Sequence, residues 1–358
     1  MNSGMVARPC PAGRPAVIEA SLSRVNTFWV ARAGGLGDRE RLRHALRWLG
    51  PAVYLVILTV FILRDGVPLS RDRLFMWILL GLLVFSLTNL RGWVRGVVLE
   101  WIPFALILGA YDYLRGHADG LLFSTNVRPQ LRADEILFGG TAPTVWLQEH
   151  LWNGSLDLRW YDYATWVVYV SYFLATYVVA GFLWFFARSL FRRFVGMVSL
   201  LAFMGFATYA LFPAAPPWMA SDLGALEPTT RSIGYIWNHI PIAYFNTLFD
   251  RGSGYSNQVA AVPSLHAAYT LLIALFLWRL APRWGRVLLA AYPLAMAFAL
   301  VYTAEHYVSD ILVGWVYALF AFWAVNQIAD AFVTRRAARG ATGRRRARSF
   351  LLVRDDLG

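Results

Sequence analysis

The sequence predicts an all-α integral membrane protein, a polytopic bundle of about eight transmembrane helices. Of its 358 residues, 58% are hydrophobic, 16% are aromatic and only 15% are charged, a balance that soluble domains do not show. Apolar runs that approach or reach the roughly 17 to 25 residues needed to cross a bilayer recur along the chain. Arginines stand between these runs and at both ends of the chain, as topogenic signals do.

The apolar runs define the predicted helices in chain order. The third run is the weakest, because Glu100 and Pro103 interrupt it. The predicted spans are 45–63, 74–90, 96–110, 163–186, 194–212, 262–280, 287–303 and 306–328.

The arginines predict the topology. The chain has no lysine, and its arginines cluster at 8–47, at 335–354 and in the short turns 91–95, 188–193 and 279–286. Basic residues near helix ends are retained in the cytoplasm, so we expect both termini and these turns inside, although the loop 64–73 fits less well. We therefore expect a disordered basic N-terminal segment (1–44), a transmembrane domain (45–330) and a basic cytoplasmic tail (331–358).

The net charge of +12 does not indicate nucleic-acid binding. The charge is concentrated at the termini and cytoplasmic turns, where topology and anionic headgroups explain it. The single cysteine, Cys10, excludes an intrachain disulfide or a thiolate metal cluster. The expected partners are the bilayer and a lipid substrate.

Two histidines open predicted spans on the same, outer side of the membrane. His266 ends the segment Pro-Ser-Leu-His, and His306 is followed four residues later by Asp310. A carboxylate one helical turn from a histidine can bind one ring N–H and direct the other nitrogen at a substrate. His266 would then serve as general acid, while Ser264 and helix N–H groups bind an anion. This pattern predicts phosphoryl transfer without a metal or a cofactor.

Two other classes of function stay open. The same three side chains, His266, His306 and Asp310, could bind zinc in a metal-dependent membrane hydrolase, which a chelator would inhibit. A lipid transporter or flippase would instead carry polar groups near the membrane midplane. The polar groups of this sequence cluster at one surface.

The motifs resemble a known family. Pro-Ser-Leu-His and His-x3-Asp, about 40 residues apart and each opening a helix, resemble the second and third motifs of the type 2 phosphatidic acid phosphatase superfamily. The resemblance implies a six-helix core, with His306 as the nucleophile that forms a phosphohistidine, Asp310 as its orienting partner and His266 as the acid for the leaving group. It implies a phosphatase or phosphotransferase acting on a lipid phosphate. With the predicted topology, its site would face outward from a membrane that the arginine- and alanine-rich composition suggests is a bacterial cell membrane.

The chain departs from the common pattern of that superfamily at defined positions. The third-motif arginine is replaced by Leu300, the first-motif lysine by Leu121 and the second-motif glycine by Leu265, while Arg128-Pro129 of the first motif is kept. These departures and the segment 134–139, Asp-Glu-Ile-Leu-Phe-Gly, resemble the inositol phosphorylceramide synthase branch. That resemblance implies, as an alternative to hydrolysis, transfer of inositol phosphate or another phospho-headgroup to a lipid or glycan acceptor.

The phosphate-binding cations cannot be read from the motifs alone. We favour Ser264 and Arg128 as phosphate-binding residues, and outer-loop arginines that could share the task are Arg132, Arg231 and Arg251. Glu305 is expected to face away from His306, since adjacent helical residues do not share a face. Tyr302 and Tyr307 are expected to be interfacial aromatics.

Overall fold

The computed structural model describes residues 38–65, 71–87, 89–116, 123–154, 157–239 and 258–355. Within these ranges the regular elements are helices, with two isolated β-bridges as the exceptions. The predicted all-α class is therefore confirmed. Most of the predicted N-terminal segment, Leu121 and Arg251 lie outside the described residues.

The helices are named here in chain order. Several of the short ones begin with a proline in their first turn, where the missing N–H costs nothing. The helices are α1 (Asp38–Asp65), α2 (Arg71–Phe85), α3 (Leu90–Gly96), a π-helical segment (Val97–Trp101), α4 (Ile102–Gly116), α5 (Arg128–Leu137), α6 (Pro143–Leu151), α7 (Trp160–Phe186), α8 (Arg188–Leu211), α9 (Pro217–Asp222), α10 (Ser232–His239), α11 (Leu265–Leu277), α12 (Arg283–Tyr302) and α13 (Val308–Asp355).

Each of the predicted apolar runs corresponds to a helix. Among the described residues, five segments are long and apolar enough to cross a membrane: Leu90–Tyr111, Trp160–Phe186, Arg188–Leu211, Arg283–Tyr302 and Val308–Phe332. Three apolar helices are shorter: Trp48–Arg64, Arg73–Phe85 and Leu265–Leu277. The number of eight spans and the sides on which the termini lie stay predictions.

The outside of the bundle is apolar. Large hydrophobic side chains are exposed along helices of both halves of the chain, which would be a severe liability in water and is the expected surface in lipid. Examples are Leu55, Val56, Leu99, Phe182, Val287, Leu294 and Val316. The protein is an integral membrane protein.

The short helix α11 lies at the centre of the bundle, packed against α7, α8, α12 and α13. Two glycines on the neighbouring helices allow the start of α11 and the residue before it to approach closely. A Cβ at Gly205 of α8 would lie 2.9 Å from the Leu265 side chain, and a Cβ at Gly314 of α13 would lie 2.4 Å from the Ser264 carbonyl oxygen. Small residues at helix contacts are how membrane bundles bring backbones together.

One end of the bundle carries basic turns and their partners. Glu100, in the π-helical segment, accepts hydrogen bonds from Trp184 Nε1 at 2.8 Å and Arg188 at 2.7 Å, so it binds helices α7 and α8 to the third predicted span. Arg193 pairs with Asp330 at 2.9 Å. Asp330 lies 22 residues beyond Val308 on α13, about 33 Å at 1.5 Å per residue. The two ends of the bundle are thus separated by about the thickness of a hydrocarbon core.

The other end carries α5, α6, α9 and α10 and the connections between them. Three extended stretches meet there as parallel bridges, Asn126 with Ala214 and Ala214 with Ala260. Gln130 reinforces them by donating from Nε2 to the carbonyls of Asn126 and Ala215 at 2.7 and 3.0 Å. The stretch that contains Ala214 thus joins the stretch before α5 to the segment before His266.

Candidate active site

His306 and Asp310 form the centre of the candidate site. His306 Nδ1 lies 3.5 Å from Asp310 Oδ2, and the side chains are 7% and 0% exposed. That distance is at the outer limit of a hydrogen bond, and such contacts in empty catalytic sites commonly tighten when the substrate binds. With Nδ1 facing the carboxylate, Nε2 is the ring nitrogen available for chemistry.

The start of α13 differs from the sequence-based expectation, in which the helix begins at His306. The helix begins at Val308, so His306 precedes it and Tyr307 occupies its N-cap. Asp310 Oδ2 accepts the Tyr307 backbone N–H at 2.9 Å, as the third residue of a capping box does. Asp310 therefore faces the ring of His306 and also fixes the backbone beside it.

Asp134 completes this cap from another helix. Its two carboxylate oxygens accept the backbone N–H groups of Val308 at 2.9 Å and Ser309 at 2.8 Å, and the residue is fully buried. Burial raises the pKa of the Asp134 carboxyl, and the hydrogen bonds from α13 oppose that effect. Asp134, the first residue of the segment 134–139, thus anchors the start of the helix that follows the predicted nucleophile.

His266 faces His306 from α11. Their ring centroids are 5.6 Å apart. Aromatic side chains from one face of α7 surround the His266 ring, with centroid distances of 5.2 Å to Tyr169, 4.1 Å to Tyr172 and 6.1 Å to Phe173. The three residues share that face because their spacing is i, i+3 and i+4.

Ser264 ties the two motifs together. Its backbone N–H donates to the Asp310 carbonyl at 3.0 Å, and its hydroxyl oxygen accepts the Ala267 N–H at the start of α11. Leu265, which takes the place of the glycine in the common motif, packs into the space that Gly205 leaves. The structure therefore brings together His306, Asp310, His266 and Ser264.

The candidate phosphate-binding arginines occupy different environments. Arg128, the first residue of α5, and Arg132 are exposed, so their contact with phosphate stays a prediction. Arg231 is partly buried and forms an ion pair with Glu305, Nε to Oε1 at 2.6 Å and Nη2 to Oε2 at 3.2 Å. Burial lowers the pKa of Arg231, but the Glu305 carboxylate, with a smaller effect of Tyr169, outweighs it and raises that pKa.

The structure corrects the expectations for Tyr302, Tyr307 and Glu305, and it shows a contact that the sequence did not indicate. Tyr302 and Tyr307 are fully buried, so their assignment as interfacial aromatics was wrong; Tyr302 donates its hydroxyl to Asp162 Oδ1 at 2.5 Å. Glu305 lies before α13, so the helical spacing rule does not apply to it. The electrostatic pairing of Arg231 with Glu305 carries no local sequence signal, since 74 residues separate the two.

The alternative functions gain no support from the geometry. Among the described residues, no group of three or more histidine, cysteine, aspartate or glutamate side chains is arranged to hold a metal ion. The buried ionisable residues Asp134, Asp162, Glu305, His306 and Asp310 lie at the end of the bundle that carries the short helices. A transport pathway would place such groups near the midplane.

Comparisons with known proteins identify the family of the chain. Residues 141–324 match the model of the PAP2 superfamily. Phosphoinositol dihydroceramide synthase of Bacteroides thetaiotaomicron is 26% identical over 276 residues, 73% of this chain and 86% of that protein. The inositol phosphorylceramide synthase catalytic subunit of Schizosaccharomyces pombe is 31% identical over 45% of this chain, and inositol phosphorylceramide synthase of Candida albicans is 28% identical over 48%.

The alignments cover 39% and 36% of the two fungal proteins. No solved structure matches the chain. The matched region 141–324 contains both histidine motifs, the helices α7, α8, α11 and α12, and the first part of α13. The chain belongs to the PAP2 superfamily and is related to inositol phosphorylceramide synthases.

Proposed function

We propose that this chain is a membrane phosphotransferase that moves a phospho-headgroup, phosphoinositol in the first instance, from a lipid donor to the hydroxyl of a lipid acceptor. The observation that carries the proposal is the His306–Asp310 pair with His266 opposite it, at one end of a lipid-facing bundle. The headgroup is taken from the relatives, which are synthases of phosphoinositol dihydroceramide and inositol phosphorylceramide.

The first half of the reaction forms a phosphohistidine. His306 Nε2 attacks the phosphorus of the donor phosphodiester, and the bond from phosphorus to the diacylglycerol oxygen breaks. His266 donates a proton to that leaving oxygen, while Asp310 holds the Nδ1 proton of His306 and stabilises the positive charge that develops on the ring. Ser264 and Arg128 are the proposed contacts to the phosphoryl oxygens.

The second half returns the enzyme to its starting state. His266, now neutral, takes the proton of the acceptor hydroxyl, whose oxygen attacks phosphorus and breaks the bond to His306 Nε2. Water in place of the acceptor would give hydrolysis. The aromatic side chains of Tyr169, Tyr172 and Phe173 around His266 favour an organic acceptor, because they limit the space for water at the base.

The proposed site faces outward. This rests on the arginine-rich turns, since Arg188 and Arg193 lie at the end of the bundle remote from the histidines and basic turns are retained inside. Donor lipid would then enter from the outer leaflet.

The test uses the purified full-length chain in liposomes that contain phosphatidylinositol and a fluorescent ceramide, with a chelator present. We expect transfer of phosphoinositol to ceramide and its complete loss in His306→Ala, because the proposed intermediate forms on His306 Nε2. Activity that survives this substitution would contradict the mechanism. Release of inositol phosphate to water without ceramide product would assign hydrolysis instead, and sensitivity to the chelator would favour the metal-dependent alternative.

A further inference from the structure

An ion pair stands directly beside the predicted nucleophile. Glu305 immediately precedes His306, and the backbone N–H groups of both residues bind the Leu300 carbonyl. The Glu305 side chain is 10% exposed and that of its partner Arg231 is 28% exposed. The guanidinium carbon of Arg231 lies 4.9 Å from the centre of the Trp218 ring. We call Arg231, Glu305 and Trp218 the Arg231 cluster.

The Arg231 cluster is fixed to the reaction centre. The Trp218 backbone N–H donates to the Ala304 carbonyl at 3.2 Å, which joins α9 to the loop that carries Glu305 and His306. Glu305 is adjacent in sequence to His306, whose ring centroid lies 5.6 Å from that of His266. The cluster therefore lies beside the reaction centre.

The charge of the cluster does not suit a phosphate group. A carboxylate close to a phosphoryl group repels it, and here Arg231 neutralises that carboxylate through two hydrogen bonds. An ion pair of this kind contributes little net stability compared with apolar packing, so stability alone does not account for it. A neutral pair that offers both acceptors and donors suits an uncharged polar group attached to the phosphate.

We propose that Arg231, Glu305 and Trp218 bind the hydroxylated headgroup of the donor lipid and so determine donor specificity, an inference that rests on the proposed phosphotransferase function. The Glu305 carboxylate accepts hydrogen bonds from headgroup hydroxyls and the guanidinium donates to their oxygens. The Trp218 ring packs against the C–H face of a cyclic polyol. Discrimination follows, because an analogue that lacks the hydroxyls forms none of the additional hydrogen bonds with Glu305 and Arg231.

Two donors, one with the cyclic polyol and one without it, test the proposal: dioctanoyl phosphatidylinositol and dioctanoyl phosphatidylethanol, both phosphodiesters of one negative charge. In the His306→Ala background, where binding is measured without turnover, Glu305→Gln should raise the Kd for phosphatidylinositol about 10- to 100-fold. The Kd for phosphatidylethanol should change less than about threefold. When His306 is intact, Glu305→Gln should likewise lower kcat/KM for phosphatidylinositol much more than kcat/KM for phosphatidylethanol. We call this difference between the two donors the split.

The controls separate specificity from folding. Glu149→Gln makes the same change at an exposed position of α6 on the same end of the bundle and should alter neither Kd. If Glu305→Gln does not fold, as judged by thermal unfolding and size-exclusion chromatography, Trp218→Leu removes the ring surface while keeping the ion pair and should show the same split.

Equal weakening for both donors, or no change for either, would overturn the proposal. Because these measurements are of binding, they stand apart from the transfer assay. Absence of transfer by the native chain would reject the proposed function, whereas loss of the split between donors would reject only this inference.

Discussion

Asp310 is the residue whose two contacts have separable consequences. Its Oδ2 atom faces His306 Nδ1 at 3.5 Å and accepts the Tyr307 N–H at 2.9 Å. In Asp310→Asn, the amide oxygen can still cap Tyr307, but the negative charge that stabilises the histidine in the transition state is lost. We expect transfer activity to fall by about 10²- to 10⁴-fold with little change in thermal stability.

The matched control for that substitution is Asp330→Asn, on the same helix. Asp330 pairs with Arg193 and its side chain is 68% exposed, so breaking the pair should cost little stability and leave the rate within about twofold of the native value. Equal loss of activity in both variants would mean that α13 is merely sensitive to charge removal, and Asp310 would then have no special role.

At this scale the sequence predicts which candidate catalytic residues lie together, and it predicts their surroundings poorly. His306, Asp310 and His266 could be paired because two histidines at the same depth, one with an aspartate a turn away, are a local pattern. The pairing of Arg231 with Glu305 and the capping of α13 by Asp134 join residues 74 and 174 positions apart. Contacts of that kind depend on how the helices assemble, and one sequence carries no signal for them.

Among the helix contacts, the one between the start of α11 and α13 leaves no room for a larger side chain at Gly314. A Cβ at Gly314 would lie 2.4 Å from the Ser264 carbonyl oxygen, a backbone atom that cannot turn aside. Gly314→Ala must therefore displace the segment that positions His266 relative to His306. We expect activity to fall by more than about tenfold and the free energy of unfolding by about 1 to 3 kcal/mol.

Thermal unfolding in detergent and the transfer assay measure both effects. Gly109→Ala is the comparison, because a Cβ at Gly109 would meet no atom within 4 Å and alanine is the better helix former. That variant should keep native activity with unchanged or higher stability. If Gly314→Ala kept native activity too, the close packing of α11 on α13 would not be what sets the distance between the two histidines.

Helix existence was easier to predict than helix boundaries. Each apolar run corresponds to a helix, since hydrophobicity alone decides which segments enter a bilayer. The beginning of α13 at Val308 rather than at His306 depends instead on the capping groups of Asp134 and Asp310. That shift of two residues removes Glu305 and His306 from helical spacing, and it is the physical reason why Glu305 could not be oriented from sequence.

For the whole molecule, the arrangement of charge predicts which membrane face carries the site. The exposed residue Glu227 lies in the connection between α9 and α10, at the end that carries the histidines. In Glu227→Cys, a membrane-impermeant maleimide added to intact cells should label the new cysteine. The native chain has one cysteine, Cys10, in the segment predicted to be cytoplasmic, so it should react only after the membrane is permeabilised.

The native cysteine thus serves as the internal control for sidedness. Labelling of Cys10 in intact cells together with protection at Glu227→Cys would invert the topology and place the site on the cytoplasmic face. Labelling of both positions in intact cells would mean that the number of spans between them is even rather than odd. Either result would leave the chemistry of His306 and His266 intact, because their geometry depends on the contacts among α7, α11 and α13 and not on which leaflet supplies the donor.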